Sequence, residues 1–176
     1  GNPYEFIFWR EDGMPIIDKD LKKILSSKLV QDTIGRIIYP RNLRKSFITW
    51  TEKNAPEIHD IIQQIGLGHK TGMRNEQALR DNYKKITPEQ WSDYRNAQEK
   101  FINEIFGKST PEKTTGVPGA KDGFVSAWEW KQIVTALSKE GQKIRVKHNL
   151  YDRDTVLALL QYSLETNLRG TDLLPN

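Results

Sequence analysis

Tyr39–Trp50, YPRNLRKSFITW, is the stretch on which the reading of this chain turns. Leu43, Phe47 and Trp50 recur at i, i+4 and i+7, the spacing that lines one face of a helix, and they predict a buried stripe. Arg41, Arg44 and Lys45 sit beside that stripe. Cations on a helix usually do no more than keep an exposed face solvated. Whether these three meet a particular anion is decided by the sequence around them.

Upstream, YEFIFW (Tyr4–Trp9) is aromatic and branched enough to predict a short strand, and EDGMP after it a turn with glycine at the tight position. Asp18 is expected to cap a helix carrying Leu21, Ile24 and Leu25, and Pro40 to mark the next break. Downstream, Ile58, Ile61, Ile62 and Ile65 predict a further helix, stopped by Gly66 and Gly68 in GLGH, which puts His69 in a turn. Thr87-Pro88-Glu89-Gln90 is a strong helix start: a threonine cap, proline at the first position and glutamine completing a capping box. The helix it opens carries Trp91, Tyr94, Phe101, Ile102 and Ile105 on one side and ends at Gly107.

The next stretch, GKSTPEKTTGVPGAKDG, is rich in glycine, proline and threonine without periodicity and reads as a linker or long loop. Beyond it, Ser126 and Glu129 fit a capping box for a helix with Trp130, Ile133, Val134 and Leu137. KIRVKHNL alternates like a strand, and Asp152 begins a helix with Val156, Leu159, Leu160 and Leu164. The expected fold is mainly α with a small β component. The expected division is a unit over 1–107, a linker over 108–123 and a small helical C-terminal unit over 124–176. Trp91, Tyr94, Trp128 and Trp130 read as core aromatics, and His59 and His148 as lone residues without a role.

At 176 residues with 36% hydrophobic and 28% charged side chains, the composition is that of a folded, water-exposed domain. No apolar run approaches the ~20 residues of a membrane span. With no cysteine there is neither a disulfide framework nor a thiolate metal site, which fits a reducing compartment, the cytoplasm or nucleus. The chain opens Gly-Asn-Pro without methionine and reads as a fragment of something longer. Net charge is +4, and residues 41–85 hold nine basic against five acidic side chains, so the excess lies in the segment that begins with the opening stretch. That distribution suits an anionic partner at one place.

Most familiar chemistries have no sequence support: there is no phosphate-cradling glycine loop with its lysine, no paired-histidine zinc motif, no nucleophile-elbow serine and no calcium loop. One constellation remains. It is Pro40-Arg41-Asn42-Leu43-Arg44-Lys45-Ser46-Phe47, then Leu67-Gly68-His69, then Tyr83 in RDNYKK. In that order these blocks resemble the tyrosine recombinases, the phage integrase family, over about Tyr4 to Lys85. The match would make the chain the C-terminal half of such a catalytic domain with a small α-rich extension, in the range of a diverged viral or telomere resolvase-like member.

The resemblance implies DNA strand cleavage and rejoining through a 3′-phosphotyrosyl intermediate, with Arg41, Arg44, His69 and Tyr83 as catalytic residues. Lys45, Lys70 and Lys84 would bind DNA phosphates. The physics is coherent, since guanidinium forks bind phosphate oxygens bidentately and stay charged at any working pH. The phosphotyrosyl ester retains the energy of the cleaved bond, so joining needs no nucleotide and no metal, and no cofactor is expected. The implied partner is double-stranded DNA, engaged by a homo-oligomer, with no membrane involved. Arg41 stands where the family usually has histidine or lysine and cannot exchange a proton as they do. The fourteen residues from His69 to Tyr83 are more than most members have. The family's first arginine and hairpin lysine precede the matched blocks, so this chain alone is expected to cleave poorly. The alternative is a DNA-binding or architectural protein that keeps the recombinase fold and has lost the reaction.

Overall fold

In the computed structural model, which describes residues 8–59, 61, 86–139 and 141–166, the chain enters through a tight reversal. Trp9 bridges Pro15 in antiparallel fashion, and the Ile16 N–H donates to the Phe8 carbonyl at 2.9 Å. Gly13 takes φ +78°, a conformation glycine adopts without a Cβ penalty. The turn is thus where EDGMP placed it, while most of the expected strand from Tyr4 lies outside the described residues.

Helix α1 runs Asp18–Leu25. The expected cap at Asp18 is corrected by one residue: extended Ile17 is the cap position, its side chain accepts nothing, and the Asp20 carboxylate reaches back to accept the Ile17 N–H at 3.1 Å. Helix α2, Lys28–Ile34, ends at Gly35 with φ +73°. Helix α3, Pro40–Asn54, starts at the proline expected to mark a break, since at the first helical position a missing N–H and a fixed φ are no handicap. Leu43, Phe47 and Trp50 are buried, as the spacing predicts. A 3-10 turn follows at Pro56–Ile58.

Helix α4 spans Pro88–Phe106 and opens with the expected reciprocal cap: the Gln90 N–H donates to Thr87 Oγ1 at 3.2 Å and the Thr87 N–H to Gln90 Oε1 at 2.9 Å. Helix α5, Ala127–Lys139, opens likewise, with the Glu129 N–H on Ser126 Oγ at 3.1 Å and the Ser126 N–H on Glu129 Oε2 at 2.9 Å. Strand β1, Lys143–Val146, pairs antiparallel with β2, Asn149–Asp152, in the register Ile144 to Tyr151 and Val146 to Asn149. The single strand expected over KIRVKHNL is therefore two, split at Lys147 and His148, with Lys147 at φ +55°. The alternation is real, but no glycine or Asn-Gly pair signals the reversal. Helix α6, Arg153–Thr166, is capped by Asp152, whose Oδ2 accepts the Thr155 N–H at 2.9 Å.

The described structure is mainly helical with this one small antiparallel sheet. Phe47 lies at the centre of an aromatic group, its ring 5.3 Å from Phe101 and edge-on to Tyr94 at 5.8 Å. Trp130 of α5 is fully buried and donates its indole N–H to Ser46 Oγ of α3 at 2.8 Å. Of the other expected core aromatics, Tyr94 is buried, and Trp91 and Trp128 are half-buried. One hydrophobic cluster runs from Ile16 to Leu164, and α2 and α4 both pack on α5, so the core continues across residues 108–123.

The hairpin is tied to the entry segment by a buried polar node. Tyr151, wholly buried, donates its hydroxyl to Asp20 Oδ1 at 2.7 Å, and Arg10 Nη1 stands 3.6 Å from the same oxygen. Burial, and then the hydrogen bond to Asp20, push the phenol pKa from 10.0 up to about 12. The folded state holds this proton more tightly than the unfolded chain does. Its contribution to stability is therefore complete below pH 10.0 and is lost as pH rises through about 12. Denaturant midpoints of the wild-type protein will fall over that window more steeply than those of Tyr151→Phe, which has no proton there to lose.

Candidate functional site

Arg41, Arg44 and Lys45 occupy the first two turns of α3, and the residue between them explains how that helix start is held. Asn42 is wholly buried; its Oδ1 accepts the Tyr39 N–H at 2.9 Å, and its Nδ2 donates to the carbonyls of Gly119 and Gly123 at 3.0 and 2.8 Å. One amide side chain thus caps the helix and pins the end of the glycine-rich loop beside it. Arg41 projects into solvent, and Arg44, three residues on and so on the same side, is half-buried.

Lys45 turns towards the protein. Its ammonium donates to the Lys121 carbonyl and lies 4.0 Å from Asp122 Oδ1. Asp122 is 88% exposed, so the ion pair sits in water and is worth no more than about 1 kcal/mol.

His69, Lys70, Tyr83 and Lys84 lie outside the described residues. The described residues on either side, Ile61 and Ile86, are both buried in the hydrophobic cluster. The described geometry of the candidate set is thus that of Arg41, Arg44 and Lys45 on α3.

The two ends of α3 differ in sign. Near its carboxyl end a cleft of about 550 Å³ is lined by Trp50, Lys53, Glu52, Glu104 and Glu112, with the Trp50 indole N–H on Glu104 Oε2 at 2.9 Å. Lys53 is already paired with Glu112. Three carboxylates make this the wrong end for an anion. The amino end joins Arg41 and Arg44 to the positive pole of the helix dipole.

Two contributors to the site's framework carry little local signal. Arg36 donates through Nε and Nη2 to the Glu129 carboxylate, at 3.2 Å to Oε1 and 2.9 Å to Oε2, and through Nη1 and Nη2 to the carbonyls of Val117 and Phe124. The Glu129 half was legible as a capping box, whereas its arginine lies 93 residues away. Asn42 sits among cations that draw attention from it, and its signal was its place three residues past Tyr39.

Among the described residues no group of three or more histidine, cysteine, aspartate or glutamate side chains could hold a metal ion. No described helix is long and apolar enough to cross a membrane. No protein-family model, curated protein or solved structure matches this chain.

Proposed function

We propose that the protein cleaves and rejoins duplex DNA through a covalent phosphotyrosine, in the manner of the tyrosine recombinases, acting as a homo-oligomer on its DNA. The observation that carries the reading is the start of α3, where Arg41 and Arg44 stand one turn apart at the helix's amino end. Two guanidinium groups so placed can hold both non-bridging oxygens of one phosphodiester and stabilise the charge that grows on them in the transition state. The order Arg44, then Leu67-Gly68-His69, then Tyr83 supplies the remaining groups.

In this scheme the Tyr83 phenol oxygen attacks phosphorus and loses its proton, and a bond forms between that oxygen and the 3′-phosphate. The bond from phosphorus to the 5′ oxygen breaks, and that oxygen takes up a proton to leave as a hydroxyl. His69 donates a hydrogen bond to a phosphate oxygen. Lys45, Lys70 and Lys84 bind neighbouring phosphates. Rejoining is the reverse attack by a 5′-hydroxyl, with the bond energy conserved throughout.

Arg41 favours a second reading, because it binds phosphate without exchanging a proton. A DNA-binding protein that has lost the reaction would keep the phosphate contacts of α3 and form no covalent product. Both readings are tested at their shared point by Arg44→Ala. The variant is expected to bind duplexes of every sequence more weakly and to flatten the plot of log affinity against log salt by about one unit. A folded Arg44→Ala protein with the wild-type affinity and slope would refute the role given to α3.

A further inference from the structure

A second basic surface lies away from α3 in sequence. A cleft of about 410 Å³ opens between the junction of α1 with α2 and the β1–β2 hairpin. Lys23 and Lys28 line one wall, and Lys143, Arg145 and Lys147 the other. Among the described residues no carboxylate lines it, although Glu11 reaches Lys143 from outside at 3.0 Å. Lys143, Arg145 and Lys147 are all exposed, alternating with buried Ile144 and Val146. Lys143 and Arg145, at alternate positions of β1, stand about 7 Å apart, and Lys147 follows in the turn. Gathering five like charges around one cleft is unfavourable for the free protein and becomes favourable when a polyanion enters.

We propose that this cleft grips the phosphodiester backbone of duplex DNA, as a second contact apart from α3; the inference rests on the reading above in taking the same duplex as partner. Cations on two facing walls fit a ridge of charge, which a nucleic-acid strand is. A bilayer is flat and is held by apolar side chains that enter it. Here Ile144 and Val146 are buried and Leu29 is half-buried, so the residues described around this cleft present no apolar anchor. The described lining has cations and small polar side chains and no aromatic ring, which suits a paired backbone better than unpaired bases that need a stacking platform. Such a contact carries no sequence information and positions the duplex.

The test compares the full chain with the variant Lys28→Gln, Arg145→Gln, Lys147→Asn on a mixed-sequence DNA duplex across a salt series. All three residues are exposed, and asparagine tolerates the left-handed backbone of Lys147. The slope of log affinity against log salt is expected to become shallower by about 2.7, about 0.9 for each phosphate that the variant no longer neutralises. Arg145→Gln alone is measured alongside, with an expected change of about 0.9, so the test does not depend on the triple variant folding. An unchanged slope in these variants, with the Arg44→Ala effect intact, overturns the cleft and leaves α3 standing. A changed slope here with Arg44→Ala silent supports the cleft and refutes α3. Wild-type protein that binds no duplex overturns both. Wild-type protein that prefers phosphatidylserine vesicles to the duplex, with the triple variant losing them, overturns the cleft as a DNA contact in favour of a membrane one.

Discussion

Glu129→Ala will lower the stability of the fold by about 3–5 kcal/mol, the range for breaking a buried ion pair from one side. The carboxylate is 2% exposed and meets three sets of donors: the Arg36 guanidinium, the Gly116 N–H at 2.8 Å and the Ser126 N–H at 2.9 Å. Removing it leaves two buried amide donors without an acceptor and a half-buried cation with only the Val117 and Phe124 carbonyls. The site has no slack to absorb the change. A Cβ on Gly116 would stand 2.6 Å from both Arg36 Nη2 and Glu129 Oε2 and would run into the Phe124 carbonyl, which is why a glycine is there. Against a total stability of about 5–15 kcal/mol for a domain, the loss is a large part of the whole. Denaturant melts will show it as a lower midpoint at unchanged slope. Glu129→Gln, which can still accept from the two amides, will fall between wild type and alanine. A cost for Glu129→Ala below about 1 kcal/mol would mean that Arg36 and Glu129 do not clasp the loop to α5.

That clasp also marks the boundary of what the sequence could reveal. Where donor and acceptor lie within one helical turn, the chemistry is written locally. Thr87 with Gln90, Ser126 with Glu129, and Asp152 at the start of α6 were all legible for that reason. The stripe of Leu43, Phe47 and Trp50 was legible because periodicity alone assigns a face. Features that depend on distant partners were not. Nothing near Arg36 points to Glu129, and nothing near Lys28 points to Arg145, so both groupings exist only once the chain has folded.

Local reading also failed where two structures share one pattern. KIRVKHNL alternates whether it runs straight or turns back at Lys147, and the turn lacks its usual residues. At Ile17 the capping carboxylate came from inside the helix, a variant that an aspartate at position 18 disguised. For the candidate site, the order of Arg41, Arg44, His69 and Tyr83 carries a resemblance only, and it gave no hint of Asn42. That side chain sets the start of the helix on which the arginines stand and fastens the loop that engages Lys45.

On the proposed reading, Tyr83→Phe is expected to abolish covalent attachment to DNA altogether, because it removes the oxygen that would attack phosphorus. Phenylalanine keeps the ring and removes only the hydroxyl, so the duplex binding proposed for α3 is expected to persist. An unperturbed phenol has a pKa of about 10 and attacks slowly at neutral pH, so cations close to it in sequence, Arg80 and Lys84, would favour the phenolate if they lie beside it in the assembled site. The decisive measurement uses the longest natural product that carries this chain, on a cognate duplex nicked beside the scissile phosphate. The short 5′-hydroxyl fragment diffuses away and rejoining stops at the covalent stage. Wild type is expected to give a protein–DNA adduct that survives denaturation and Tyr83→Phe none, at comparable duplex binding. An adduct that persists in Tyr83→Phe, or wild-type protein that binds the cognate duplex and yields no adduct, would contradict the proposed reaction.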